Sequence, residues 1–205
     1  MSSLSANTPP WWFTPQEQLE RKKVDYTIIT RKQSLNLPRK LLFLLQNILR
    51  KIYDNCITSV DMTALELGNY GVLGIASSLE KTRSLTYLNL TNTQMGDFGA
   101  TRLAVALAKN ASLTSLICGN RHITRNSHQH NLIGNIGVKA LSQSLVGHPS
   151  LTHFEISSNR ITDVGMRHLA DALENEDCYN MYVITILFFD IKQVLLTLIM
   201  HALSI

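Results

Sequence analysis

The sequence predicts an α/β solenoid in which short parallel strands alternate with helices around one continuous core. Residues 85–112 contain both halves of a single unit. Leu85, Leu88 and Leu90 form an L-x-x-L-x-L run, and its last part alternates as a strand does. After a glycine-containing turn, Leu103 and Leu107 follow at helical spacing. Because one strand and one helix cannot bury their apolar faces alone, this unit requires copies of itself on either side.

The copies recur at the spacing that separates Leu85 from Leu113, with one insertion, and they define four units at 57–84, 85–112, 113–150 and 151–178. The apolar positions of the other three units are Ile57, Val60, Met62, Leu67, Ile75 and Leu79; Leu113, Leu116, Cys118, Leu141 and Leu145; and Leu151, Phe154, Ile156, Ile161, Leu169 and Leu173. A period in the high twenties that combines a strand with a helix is typical of leucine-rich repeats.

At these residues the chain resembles the leucine-rich repeat family of the ribonuclease-inhibitor type. The resemblance covers residues 57–178 and implies an arc with parallel strands on the concave face and helices on the convex face. In that family an Asn or Cys that follows the strand caps backbone groups in the turn, and Asn159 and Thr93 occupy this position in two units. Leu65 and Arg121 occupy it in the first and third units, so we expect those two turns to satisfy their backbone groups differently.

The residues outside the repeats are predicted to form an arm and two caps. Residues 1–13, with two prolines before Trp11, Trp12 and Phe13, suit an extended arm whose rings either fold back onto the solenoid or dock on another protein. Residues 14–56 are predicted to form an N-terminal helical cap that shields the first repeat. Residues 179–205 suit a degenerate fifth repeat beginning at Tyr179, a C-terminal cap, or a tail that has drifted from its repeat ancestry.

Two segments allow an alternative interpretation. Leu37–Leu49 resembles the first helix of an F-box, which implies an adaptor of a ubiquitin ligase with the repeats as substrate receptor. The apolar C-terminal tail suits self-association, or a membrane span, but Asp190 and Lys192 near its middle each cost about 2.5–3.5 kcal/mol on insertion scales. We therefore do not expect a membrane span.

Composition narrows the function classes. A net charge of +4 and few basic residues within the repeats argue against a nucleic-acid partner. Three widely spaced cysteines and no signal peptide favour a cytoplasmic protein. The acidic run at 174–177 and the apolar C-terminus also resemble the secretion signal of effectors that bacteria inject into host cytosol.

No motif for catalysis or cofactor binding is present. The sequence has no phosphate-binding glycine loop and no nucleophile elbow, so we expect neither enzymatic activity nor a cofactor. His122, His128 and His130 lie in the insertion of the third unit, but three histidines on a loop do not supply the constrained ligand set that zinc requires. We expect that loop to be a solvated contact point and not a metal site.

The predicted function is the binding of another protein through the concave strand face. Because the leucines of an L-x-x-L-x-L strand face inward, the residues between and after them line the concave sheet. Tyr87 is the first candidate, because tyrosine is enriched among the residues that carry binding energy. The candidate binding residues are Asp61, Thr63, Glu66, Tyr87, Asn89, Thr91, Ser115, Ile117, His122, His153, Glu155, Ser157 and Arg160.

Overall fold

The computed structural model describes residues 39–120, 130–175 and 183–185. In this part of the chain helices and strands alternate, beginning with a helix. The elements are α1 (Arg39–Tyr53), β1 (Ser59–Asp61), α2 (Gly68–Leu79), β2 (Tyr87–Asn89), α3 (Asp97–Leu107), β3 (Ser115–Ile117), α4 (Asn135–Leu145), β4 (His153–Glu155), α5 (Asp163–Leu173) and β5 (Val183–Thr185). The arm at 1–13, the predicted start of the N-terminal cap and most of residues 179–205 lie outside the described residues.

The strands form one parallel sheet in chain order, β1 to β5. Val60, Leu88, Leu116 and Phe154 are aligned across the first four strands. The fifth strand differs from the predicted register, because Phe154 pairs with Ile184 and not with Tyr182. It therefore begins two positions later than the repeat spacing predicts, and the additional length falls in the segment that contains the acidic run.

The core lies between the sheet and the helices, as the leucine spacing predicts. The middle residue of each of the first four strands is buried, and so is Cys118, which packs as a small apolar side chain. The solenoid fold and the inward direction of the leucine positions are therefore confirmed.

Helix α1 closes the N-terminal end of this core. Its side chains Leu45, Leu49 and Ile52 are buried, and the helix packs against α2. The predicted cap at 14–56 stays a prediction, because residues 14–38 lie outside the described residues. The F-box interpretation would require the same helix to bind a second protein, and two of its leucines are already used inside the solenoid.

Each helix N-terminus from α3 to α5 is capped by a side chain of the preceding unit. Oδ1 of Asn69 accepts hydrogen bonds from the backbone N–H groups of Gly96 and Gly99 at 2.8 and 3.0 Å. Asp97 does the same for Gly134 and Gly137 at 2.7 and 2.8 Å. These acceptors satisfy N–H groups that a helix cannot satisfy itself.

Asn135 continues the series. Its Oδ1 accepts hydrogen bonds from the N–H groups of Thr162 and Gly165 at 3.0 and 3.1 Å. The three capping residues occupy the same position in successive units, and Asp163 occupies it in the fourth. We call Asn69, Asp97 and Asn135 the capping ladder.

The turn of the third unit corrects one expectation. The family's asparagine position there is occupied by Asn131, not by Arg121, because the insertion precedes it. Asn131 is buried, and its Nδ2 donates to the carbonyls of Leu90, Cys118 and Gly119 at 2.8, 3.0 and 3.3 Å. Its Oδ1 accepts the N–H groups of Thr93 and Met95, both at 3.0 Å. One side chain thus joins the second and third units.

The turns of the other three units satisfy their backbone groups in the way that the sequence predicts. Asn159 donates to the carbonyls of Cys118 and Ile156, and Thr93 donates to that of Leu90, as the family position implies. The turn that contains Leu65 uses backbone bonds instead, with Leu65 N–H donating to the carbonyl of Met62.

In the turn after α4, His148 occupies the position that Asn110 holds in the turn after α3. Oδ1 of Asn110 accepts the N–H groups of Ser112 and Leu113 at 2.9 and 2.8 Å. One unit later, Nδ1 of His148 accepts those of Ser150 and Leu151 at 3.3 and 3.0 Å. Since an accepting Nδ1 carries no proton, this turn requires neutral His148.

Within the described ranges, no helix combines the length and the apolar character that crossing a bilayer requires. The apolar residues 186–205 lie outside those ranges.

We predict that Asn131→Ala lowers the free energy of unfolding by about 3 kcal/mol, because it leaves several buried backbone groups without partners. Denaturant unfolding measures this loss. Asn47→Ala, at an exposed position of α1, is the matched control and should change stability by no more than about 0.5 kcal/mol. Equal losses in the two variants would show that Asn131 does not join the units.

The pH dependence of stability tests His148. Burial lowers the pKa of its imidazole, and the Leu107 carbonyl opposes this effect. The unfolded chain therefore binds more protons than the folded chain below about pH 6.5, and the free energy of unfolding falls as the pH drops through that value. We predict that His148→Asn, which copies Asn110, loses less stability than the wild type between about pH 7.5 and pH 5. Parallel curves for the two proteins would contradict this role.

Candidate protein-binding surface

The concave side presents three rows of side chains. Two come from the first and third positions of the strands, and the third comes from the turns that follow, since the middle strand position faces the core. The first row contains Ser59, Tyr87, Ser115 and His153, which are aligned across four parallel strands. Ser59 is exposed and the other three are partly exposed. Neighbouring strands lie about 4.8 Å apart, so these four side chains form a continuous surface that a partner can contact.

The second row is less accessible than the sequence suggests. It contains Asp61, Asn89, Ile117 and Glu155. Nδ2 of Asn89 donates to Oδ2 of Asp61 at 3.3 Å, and both Asn89 and Ile117 are buried. Both side chains were expected to be open to a partner, but their burial leaves little of either accessible. Asp61 is exposed and Glu155 is partly exposed.

The third row lies in the turns after the strands, where a repeated local hydrogen bond shapes the backbone. Oδ1 of Asp61 accepts from N and Oγ1 of Thr63 at 2.8 and 2.6 Å. Asn89 holds Thr91 in the same way, at 3.0 and 2.6 Å. Glu155 accepts from Oγ of Ser157 at 3.1 Å.

These local hydrogen bonds explain why two more of the candidate residues are not accessible. Thr91 and Ser157 were expected to face a partner, but both are buried, and their hydroxyl groups are used within the turn. Thr63 is partly exposed. An acceptor that bonds the residue two positions later is a common property of Asp and Asn in turns, and it makes these pairs structural elements of the sheet edge.

The remaining candidates lie at the end of the strands. Glu66 and Arg160 are exposed. The N–H group of Arg160 donates to the carbonyl of Ile133 at 2.8 Å, which fixes its backbone. His122 lies outside the described residues, so its prediction stays open.

The described side chains behind the concave sheet are packed in the core, and they offer no reactive group. Burial, together with the charge of Glu155, raises the pKa of the Cys118 thiol, so that the thiol stays protonated and unreactive. In the described part of the chain no group of three or more His, Cys, Asp or Glu side chains is placed to hold a metal ion. The accessible groups are hydroxyl, imidazole, phenol and carboxylate groups suited to hydrogen bonding.

The comparisons with known proteins agree with this architecture. The sequence profile described as Leucine Rich repeat matches residues 81–104 and 147–170. The chain therefore contains leucine-rich repeats. The ribonuclease-inhibitor type within this class stays a prediction. No curated protein matches the chain in sequence.

Two solved structures are similar in fold to this chain. One is described as leiomodin-1 actin-binding site 2, with a TM-score of 0.64 and 19% identity over 78% of this chain and 88% of that chain. The other is the C-terminal domain of a tropomodulin from Caenorhabditis elegans, with a TM-score of 0.58 and 12% identity over 78% of this chain and 98% of that chain. At these identities the similarity shows a shared fold.

Sequence reasoning missed Asn131, yet a signal for it exists. One repeat length before Asn159 lies Asn131, whereas one repeat length after Thr93 lies Arg121. The forward count fails because the insertion lies between the strand and the asparagine.

A glycine on the concave sheet provides a test of this surface. A Cβ at Gly119 would lie 2.6 Å from Oγ of Ser157 and 2.9 Å from Oε1 of Glu155. We predict that Gly119→Ala lowers the free energy of unfolding by about 1–3 kcal/mol through this overlap. In a Ser157→Ala background the nearest atom is absent, so the cost should fall by about 1 kcal/mol or more. An equal cost in both backgrounds would contradict the placement of Ser157 against Gly119.

Proposed function

We propose that this leucine-rich repeat protein is a non-catalytic binding module that holds a partner protein along its concave sheet. The observation that supports the proposal is the row Ser59, Tyr87, Ser115 and His153, which are aligned on four adjacent strands and accessible. A polar row that includes a phenol is suited to a protein surface, because tyrosine combines apolar area with a hydrogen-bonding group.

Rigidity supports the same proposal. The backbone of each strand is bonded to the next, and the turns are fixed by buried side chains such as Asn131 and Thr91. Because the surface is ordered before binding, little conformational entropy is lost when a partner binds. Asp61 and Arg160, both exposed near the ends of this surface, add opposite charges that orient a partner.

The proposal includes a cytoplasmic site of action, either in the cell that makes the protein or, for a bacterial effector, in a host cell. The support comes from the sequence alone: the isolated cysteines, and the acidic run at 174–177 followed by an apolar terminus. Nucleic acid and cofactors are not part of the proposal.

The test compares a residue of the concave sheet with an exposed residue of a helix. We predict that Tyr87→Ser reduces the capture of specific partners by at least about tenfold, because it removes the aromatic ring of the concave row. Val105→Ser, at an exposed position of α3 away from the concave sheet, is the control and should retain capture. Quantitative mass spectrometry of proteins retained by the wild type and each variant measures both effects. An identical partner set for wild type and Tyr87→Ser would overturn the concave-face proposal.

Monomeric actin is a defined probe for the same surface. The description of the similar leiomodin domain names it an actin-binding site, although 19% identity shows only the fold. Titration of actin into wild type, Tyr87→Ser and Val105→Ser tests whether this chain binds it. Saturable binding that is lost only with Tyr87→Ser would identify an actin-type partner. Absence of binding by the wild type would exclude actin.

A further inference from the structure

A second surface of the molecule repeats with the units and is apolar. Five exposed apolar side chains begin at α1 and recur once on each successive helix, at corresponding positions of the units. We call them the flank strip. The exposed fractions are Phe43 67%, Tyr70 45%, Phe98 50%, Ile136 70% and Val164 53%.

The inclusion of α1 in this series is independently supported by its buried residues. Leu45, Leu49 and Ile52 precede Val72, Ala76 and Leu79 by the same interval that separates Phe43 from Tyr70, and all six are buried. Helix α1 therefore presents the same face to the core as α2, and Phe43 corresponds to Tyr70.

Neighbouring residues of the flank strip lie close together. The rings of Tyr70 and Phe98 lie 6.3 Å apart, and the guanidinium of Arg102 lies 6.0 Å from the Phe98 ring centroid. Since packed helices lie about 8–10 Å apart, five adjacent helices extend the strip over roughly 32–40 Å. Its neighbour Leu132 is also exposed.

Packing of the core does not explain the strip. Single exposed apolar side chains are ordinary, and Val105 is one of them. The same repeat position is, however, apolar and exposed on every described helix, and three of its five residues are aromatic. Such a contiguous apolar surface is characteristic of an interaction site.

We propose that the flank strip binds the aromatic segment at residues 9–13 of the same chain. The described structure begins at Arg39, four positions before Phe43, so the part of the chain that precedes it is attached beside the first residue of the strip. That part contains both tryptophans of the protein, Trp11 and Trp12, followed by Phe13. Its rings match the aromatic part of the strip.

The connecting chain is long enough for this contact. Residues 14–38, which precede α1, span up to about 80–90 Å when extended, which exceeds the length of the strip. A tether of this kind keeps the aromatic segment at a high effective concentration, so contacts that are weak between separate molecules suffice within one chain. The segment covers apolar surface that otherwise remains in water.

The two tryptophans make the proposal directly measurable, because the chain has no others. In the full-length wild type we expect blue-shifted tryptophan emission that is protected from acrylamide quenching. Phe98→Lys and Ile136→Lys should each remove the blue shift and the protection. Val105→Lys is the matched control, since Val105 lies on α3 like Phe98, is exposed, and is outside the strip. Far-UV circular dichroism and thermal melting confirm that each variant is folded.

A converse variant keeps the test independent of the lysine substitutions. In Trp11→Ser/Trp12→Ser the strip is expected to be uncovered, so the variant should bind more 1-anilinonaphthalene-8-sulfonate than the wild type. Tyr70→Ser added to this variant should reduce that excess.

Several results would overturn the proposal. Wild-type emission typical of exposed tryptophan, or a blue shift that persists in both lysine variants, would show that the rings are not on the strip. A blue shift that depends on protein concentration, with a dimer mass, would assign the contact to a second copy. The inference does not rest on the concave face, since Tyr87→Ser should leave the tryptophan emission unchanged.

Discussion

The constraint on which the described repeats depend is that backbone groups at the ends of short strands and helices must find hydrogen-bond partners, many of them in a neighbouring unit. Short strands and helices leave many N–H and C=O groups at their ends, and the close packing of units keeps water away from them. Asn69, Asp97 and Asn135 cap the following helix, and Asn131 serves both sides of one turn. The apolar core drives the units together, but these amides and carboxylates determine how they stack.

The same constraint limits what the concave face can offer to a partner. Asp61, Asn89 and Glu155 each bond a hydroxyl group two residues later, so part of the polar surface is consumed in holding the strand ends. The side chains of the first row lie two residues before these acceptors and remain accessible. The accessible polar groups of the strands therefore concentrate on the row that contains Tyr87 and His153.

Residue spacing in the sequence predicted which apolar side chains lie in the core. It did not predict which side chains of the concave face are buried. Leu88, Leu116 and Phe154 were placed in the core correctly, because alternate strand residues point to opposite faces. Thr91 and Ser157 were misjudged, because whether a hydroxyl faces solvent or a neighbouring acceptor is decided by local backbone geometry. Ile117 was expected to face a partner, but it is buried, and the strand alternation alone does not predict this. The fifth strand was expected, but its register was not, since a shift by two positions leaves the apolar alternation unchanged.

The capping ladder also explains where the flank strip lies, but not what it is made of. Each of Asn69, Asp97, Asn135 and Asp163 immediately precedes a residue of the strip. Successive side chains on a helix are rotated by about 100°. When a helix directs one side chain at the next unit, it therefore directs the following side chain at solvent. This geometry requires exposure at Tyr70, Phe98, Ile136 and Val164, and a polar residue would satisfy it equally well. An apolar residue at all four positions is thus not a consequence of the fold, and it calls for a contact made by that surface.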